Sequence, residues 1–150
     1  MEANEVIEKL GLVPLPEEGG FYIETHRDPH STCIYYLVTP EEFSGLHAVK
    51  SAEIFHFYAG DPVEMVQINE EGELSKVILG SDLSKDQSPQ VIVPPMIWQG
   101  TKLIGDGKWA LLGCTVSPAF QFEDFFTATC EELSKKFPEH KDIIKDYTHS

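Results

Sequence analysis

The chain is poor in basic residues, and the few it has do not cluster. Lys and Arg together number 11, against 25 Asp and Glu, so the net charge is −14. A surface of this sign repels nucleic acid phosphates and anionic lipid head groups. We therefore expect neither a nucleic acid nor a membrane surface as a partner.

Cysteine is also scarce, and so are long apolar runs. The three cysteines are Cys33, Cys114 and Cys130, and no CxxC pair occurs. An odd count without such a pair argues against a disulfide framework and against a zinc knuckle. No apolar run is long enough for a membrane-spanning helix, and the first residues lack the basic and apolar start of a signal peptide. These absences predict a cytoplasmic protein with reduced thiols.

Apolar residues are plentiful enough for one hydrophobic core. They make up 41% of the 150 residues, and aromatic residues make up 11%. A chain of this length corresponds to one domain, so we expect residues 1–150 to form a single unit. The segment from Asn4 to Leu10 has apolar residues at helical spacing, and Gly11 can end a helix there.

The middle of the chain has the texture of a β protein. From about residue 20 to 118, short β-rich runs alternate with turn signals. Glu70–Glu73 and Gly105–Gly107 each separate two such runs, as hairpin turns do, and hairpins join antiparallel strands. Helical spacing returns in the segment from about 127 to 147. The sequence therefore predicts an all-β, antiparallel barrel with a short N-terminal helix and C-terminal helices.

One stretch of the predicted barrel has polar residues at a spacing that carries chemistry. His47 comes six residues before Glu53, and Glu53 comes seven before Gly60. Alternate residues of a strand face the barrel interior, so a His and a Glu on neighbouring strands can meet in its mouth. The spacing resembles the first signature of the cupin superfamily, with Val49 at the position of its second His.

A second stretch resembles the other cupin signature. Pro94 matches, Met96 occupies the usual Gly position, and Gln99 occupies the position of the last metal-ligating His. Two of the four usual ligand positions are therefore not His. A firmly held transition metal needs three or four suitable ligands. We expect at most a weak divalent metal at His47, Glu53 and Gln99, and the cofactor is otherwise left open.

Longer motifs narrow the resemblance to one branch of the superfamily. They are Gly19-Gly20-Phe21-Tyr22, the run from Glu53 to Pro62, and the run from Trp109 to Pro118. Together they look like a small single-domain cupin family of unassigned function, structurally similar to the deoxysugar-nucleotide (dTDP-keto-deoxyhexose) epimerases. The resemblance implies a cupin jelly-roll β-barrel, commonly a homodimer, with an internal pocket.

Candidate catalytic residues follow from the first motif. The imidazole of His47 can act as a general acid or base near neutral pH. A buried carboxylate is costly unless it is paired, so Glu53 needs a partner or a task. Predicted ligand-binding residues are Gln99, by its signature position; Phe55 and Phe57, by sharing the strand parity of Glu53; Tyr22 and Glu24, which follow the double glycine; and His56, which reaches the pocket only if its strand bulges.

Two functions are compatible with these residues. One is an isomerase-like, epimerase-like or metal-assisted enzyme acting on a small polar molecule, such as a sugar derivative or an organic acid. The other is a non-catalytic barrel that binds or senses such a molecule. The retained His and Glu favour the first, and the two altered ligand positions favour the second.

Overall fold

Two antiparallel β-sheets form the centre of the computed structural model, which describes residues 1–149. The strands in chain order are β1 Val13–Pro14, β2 Phe21–Asp28, β3 Ser31–Val38, β4 Ser44–Val49, β5 Ala52–Gly60, β6 Val63–Ile68, β7 Leu74–Leu79, β8 Gln90–Val93, β9 Trp98–Leu103, β10 Ala110–Ser117 and β11 Phe125–Thr127. One sheet has the order β1-β2-β3-β10-β5-β8, and the other has the order β11-β4-β9-β6-β7. The predicted all-β jelly-roll fold is confirmed.

Side chains that alternate along the strands fill the space between the two sheets. Tyr36, Phe55 and Leu112 of the first sheet and Met65 of the second are each at most 1% exposed. Burial of such large apolar side chains is the main force that holds the sheets face to face.

Three α-helices cover the outer faces of the sheets: α1 Ala3–Leu10, α2 Cys130–Lys136 and α3 Lys141–Asp146. Val6 of α1 packs with Leu37 on the first sheet, and Leu133 and Ile144 pack on the second. The N-cap of α1 is Glu2, whose capping box uses Glu5, so the helix begins slightly before the predicted residue. Within residues 1–149, no helix is long and apolar enough to cross a membrane.

The sheets extend beyond the predicted barrel limits of about 20 and 118. β1 precedes them, and β11 follows them, between the predicted barrel and the predicted C-terminal helical segment. β11 pairs with β4 so that Thr127 lies opposite His47. The predicted helical segment from about 127 to 147 does contain α2 and α3.

A bulge in β4 changes which of its side chains face inward. Ser44 lies opposite Thr101 of β9 and His47 lies opposite Gln99, so three steps along β4 match two along β9. The extra residue puts Ser44 and His47 on the same face although they are an odd number of residues apart.

A bulge of the same kind occurs in β2. Glu24 lies opposite Ile34 of β3, and Arg27 lies opposite Thr32, so β2 also has one extra residue. Glu24 and Arg27 consequently face the same side of the sheet. Each bulge brings a pair of polar side chains, three residues apart, to the barrel interior.

Candidate functional site

A cavity of about 230 Å³ lies in the barrel between the two sheets. Its lining comes from both sheets and from two irregular segments: Leu15, Pro16, Glu18, Tyr22, Glu24, Arg27, Thr32, Ile34, His47, Val49, Glu53, Cys114, Val116, Phe120, Phe122 and Phe125. A shallower and wider groove of about 840 Å³ adjoins it and shares Arg27. We place the candidate site in the smaller cavity, because it is the more enclosed and can remove most of a ligand from water.

His47 of β4 is held in a single tautomer. Its Nδ1 lies 2.8 Å from the carbonyl oxygen of Gly45, to which it donates, and the residue is 1% exposed. A neutral imidazole that donates from Nδ1 has its lone pair on Nε2. The ring stacks on Phe125, with centroids 5.3 Å apart. The result is a fixed base whose Nε2 is directed at the acidic groups of the site.

Glu18 is the nearest of those groups, and it lies in the loop before β2. Its Oε1 is 3.6 Å from His47 Nε2, while its Oε2 accepts a 2.7 Å hydrogen bond from Ser44 Oγ. The loop is tied down from behind, since Gly45 N donates to the carbonyl of Glu18 and Tyr36 Oη donates to that of Gly19. Glu18 is 9% exposed, so it is a buried acid of the site.

Glu53 of β5 is the second buried acid. Its Oε1 accepts a 2.9 Å hydrogen bond from Gln99 Nε2, and the two residues are 8% and 1% exposed. Burial raises the pKa of Glu53 from 4.5 to about 7, the charge of Glu18 adds to the rise, and His47, Gln99 and Cys114 oppose it. Glu53 can therefore gain or lose a proton near neutral pH. Burial likewise raises the pKa of the Cys114 thiol well above its usual value, so this thiol stays protonated.

The polar pair on β2 lies at the opposite wall. Arg27 Nη2 is 2.8 Å from Glu24 Oε1, and its Nε lies 3.1 and 3.2 Å from the two carboxylate oxygens. Both side chains keep more than a third of their surface exposed. This two-pronged contact neutralises the only arginine of the cavity wall.

An aromatic wall completes the cavity. Phe120 meets Phe122 edge to face at 5.2 Å and meets Phe125 edge to face at 6.3 Å. Phe120 and Phe122 come from the connection between β10 and β11, which includes a 3-10 turn that begins at Phe122, and Phe125 is the first residue of β11. With Tyr22 of β2, they give the cavity apolar and polarisable surfaces facing the acids.

Four predicted site residues lie on the cavity wall: His47, Glu53, Tyr22 and Glu24. Gln99 lies behind Glu53 and touches the site through it. Its Oε1 is buried without a hydrogen-bond partner among the described residues. The roles assigned to these residues remain predictions.

Three others lie elsewhere, and the reasons are geometric. Phe55 and Phe57 do face inward, but Phe55 belongs to the hydrophobic core, Phe57 packs against it, and neither lines the cavity. His56 faces outward, where its Nε2 lies 3.2 Å from Thr115 Oγ1 and its ring stacks with Tyr58. The bulge in the β5–β10 pairing comes after Phe57, too late to turn His56 inward.

The predicted metal set of His47, Glu53 and Gln99 does not fit a metal ion. Gln99 directs its N–H group at Oε1 of Glu53, so the amide faces this carboxyl group as a donor and not with the oxygen that a metal ion would need from it. Val49, at another ligand position, gives the cavity an apolar side chain. In the part of the chain that the structure describes, no group of three or more His, Cys, Asp or Glu could hold a metal. We derive no step through a metal.

Comparison with known proteins identifies a family match over most of the chain. A family model described as "Cupin superfamily (DUF985)" matches residues 4–128. The uncharacterized protein YML079W of Saccharomyces cerevisiae is 25% identical over 167 residues, which cover 81% of this chain and 83% of that protein.

Solved structures agree with this match. Protein SO0799 of Shewanella oneidensis has a TM-score of 0.94 at 34% identity, covering 99% of this chain and 98% of that one. A hypothetical protein from Leishmania major has a TM-score of 0.94 at 29% identity, covering all of both chains. An oxalate decarboxylase from Bacillus subtilis has a TM-score of 0.63 at 16% identity, and the match spans 91% of this chain but 37% of that one. That likeness concerns the fold alone.

Proposed function

We propose that this chain, which belongs to the cupin superfamily (DUF985), holds a small polar molecule in its barrel cavity and exchanges a proton with it. The observation that carries the proposal is the pairing of a tautomer-fixed imidazole with a buried carboxyl group that titrates near neutral pH. Perturbed groups of this kind are concentrated at functional sites.

Each group has a distinct part in such an exchange. His47 Nε2 accepts a proton from the ligand, and the electron pair of the broken bond stays on the ligand. Glu18 stabilises the imidazolium that results, because its Oε1 lies 3.6 Å from Nε2. The imidazolium then returns the proton to a different atom of the ligand, so His47 ends in its starting form, and the charge of Glu53 controls this transfer through its coulombic interaction with His47. The net change is an isomerisation, which needs no further reactant.

An isotope experiment separates this function from simple binding. A library of neutral, cationic and anionic polar molecules is screened by thermal shift, and each hit is incubated with the protein in D2O. We expect a hit to acquire deuterium at one carbon, detected by mass spectrometry. His47→Asn should slow that exchange by about a hundredfold, because Asn can still donate to Gly45 but has no base at the Nε2 position.

The outcomes of this experiment are distinct. Hits that bind without exchange would establish the non-catalytic binding function and contradict proton transfer. A library without any hit that competes for the cavity would overturn the proposed function as a whole.

We also propose that the protein works in the cytoplasm as a homodimer. Cys33 and Cys114 are thiols, which suits a reducing compartment. Tyr58 and Ile92 are 54% and 58% exposed, and Ile92 lies beside Ile54 on the outer face of an edge pair of strands. A second copy of the chain packed on this face would cover them.

Light scattering checks the dimer. We expect Ile92→Asp to convert the dimer to a monomer, because an unpaired carboxylate would be buried in the interface. Val13→Asp is the matched control, since Val13 is 52% exposed and lies in β1, at the opposite edge of the same sheet from β8. A wild-type mass equal to one chain would contradict the proposal.

A further inference from the structure

We propose that the ligand of the cavity is a small organic cation, an ammonium ion enclosed by the aromatic wall and the buried acids. This inference rests on the proposed function only in requiring that the cavity binds a ligand. It goes further by assigning the charge and the size of that ligand.

The charges of the cavity wall favour a cation over an anion. Glu18, Glu53 and Glu24 line it, against one arginine. Arg27 is already engaged by both oxygens of Glu24, and His47 Nε2 is directed at Glu18. An anion entering the cavity would therefore meet no uncommitted positive group, and its desolvation would go uncompensated.

The aromatic wall has the arrangement that an ammonium group requires. Phe122 and Phe125 are inclined to Phe120 by 79° and 74°, so the ring planes are not parallel, and all three residues line the cavity. The face of an aromatic ring is its electron-rich side, and a cation within about 6 Å of the centroid is attracted to it. Several such faces beside carboxylates form the cage that selects ammonium groups.

One acid offers an oxygen to the ligand. Glu18 Oε2 is bound by Ser44, but Oε1 lies beyond hydrogen-bond length from His47. Oε1 thus faces His47 without a hydrogen bond, and an acid that is 9% exposed on a cavity wall can use such an oxygen to accept a hydrogen bond from a ligand. A positive group is the partner that compensates best for burying this charge.

The size of the cavity limits the cation. A volume of about 230 Å³ lies below the range of about 300–1,000 Å³ that is usual for drug-sized ligands. A nucleotide does not fit inside it, whereas a molecule with the dimensions of choline does.

The protonation of Glu53 should be coupled to the binding of a charged ligand, and this coupling is a second measurable property. Glu53 faces Glu18 from the loop before β2, His47 from β4, Gln99 from β9 and Cys114 from β10. A cation stabilises the ionised form of Glu53, so binding should release a proton and tighten between about pH 6 and pH 8. An anionic ligand would show the opposite trend.

Three probes of one shape test the charge. They are choline, its neutral isostere 3,3-dimethylbutan-1-ol, and the anion 3,3-dimethylbutanoate, each titrated calorimetrically into the full chain. We expect choline to bind about tenfold more tightly than the alcohol, and the anion to bind more weakly than both. Titration of choline in buffers of different ionisation enthalpy should reveal proton release near pH 7.

Variants assign the effect to the wall and to the acid. Phe120→Leu keeps an apolar side chain but removes the ring, so it should weaken choline about fivefold and alter the alcohol little. Glu18→Gln should do the same through the lost charge. Phe126→Leu is the matched control, because Phe126 belongs to the same strand as Phe125 but does not line the cavity.

Each outcome supports or overturns the inference. Equal binding of choline and the alcohol, preferred binding of the anion, or no binding of choline would each overturn it. In those cases the broader library screen still decides the proposed function, so the two failures can be told apart.

Discussion

Glu53→Gln should raise the free energy of unfolding by about 3 kcal/mol at about pH 8.5 and leave it nearly unchanged at about pH 5. The unfolded chain releases the Glu53 proton near 4.5, whereas burial raises the pKa in the folded protein to about 7. Between these values the folded state holds a proton that the unfolded state has lost, so its stability falls as pH rises. Glutamine has the shape of the acid without its charge, so the variant does not lose stability as the pH rises.

Urea denaturation of both proteins at the two pH values measures this effect. Glu71→Gln, in the exposed turn between β6 and β7, is the control that removes one acid without changing the site. Equal destabilisation at both pH values would contradict the prediction. Such a result would mean that the Glu53 carboxylate serves mainly as a structural acceptor for Gln99.

Gly20→Ala should lower the free energy of unfolding by about 3 kcal/mol and weaken ligand binding as well. Gly20 has a φ of 80°, a conformation that side chains disfavour. An added Cβ would come within 2.4 Å of the Tyr36 hydroxyl, and Tyr36 is fixed in the core. Relief of this clash moves the loop that carries Glu18.

Gly11→Ala isolates the contribution of the backbone. Gly11 has a φ of 68°, but its added Cβ would meet nothing closer than 3.9 Å. We expect this variant to lose about 1 kcal/mol and to bind ligand as the wild type does. Equal losses in the two alanine variants, measured by urea denaturation, would show that contact with Tyr36 is unimportant.

The fold could be predicted from the sequence because its signals are local. Runs of alternating residues and hairpin turns specify antiparallel strands, and the spacing of His47, Glu53 and Gln99 resembled the cupin signatures. Strand parity also placed Phe55 inside the barrel. Strand parity could not show, however, that Phe55 lies too deep in the core to line the cavity. The depth of a side chain depends on how far the two sheets overlap.

The cavity residues that the sequence did not predict lie outside the regular strands or at a bulge. At such positions the alternation of a strand does not predict which way a side chain faces. Glu18 stands in a loop rich in proline and glycine, and its one signal was the double glycine that follows it. Phe120 and Phe122 lie in the connection between β10 and β11, where their close spacing was visible in the sequence but the shared direction of their side chains was not. Arg27 was missed because a bulge turns it to the face of Glu24, and regular alternation would have turned it away.

The bulge of β4 has a consequence for how this site can change during evolution. The groups that fix the tautomer of His47 and hold the loop of Glu18 in place are the carbonyl and the amide of Gly45, which lies within the bulged part of the strand. Every amino acid has a carbonyl, and all but proline have an amide, but a Cβ at position 45 would lie 3.3 Å from the carbonyl oxygen of Glu18 and 2.9 Å from the ring of His149. A side chain there would therefore displace the loop of Glu18 while leaving the acceptor of His47 in place. Deletion of one residue between Ser44 and His47 would restore regular alternation and still leave both side chains on one face. Substitution at position 45 and deletion beside it are thus two distinct routes by which this lineage could alter the site, the first through Glu18 and the second through the bulge.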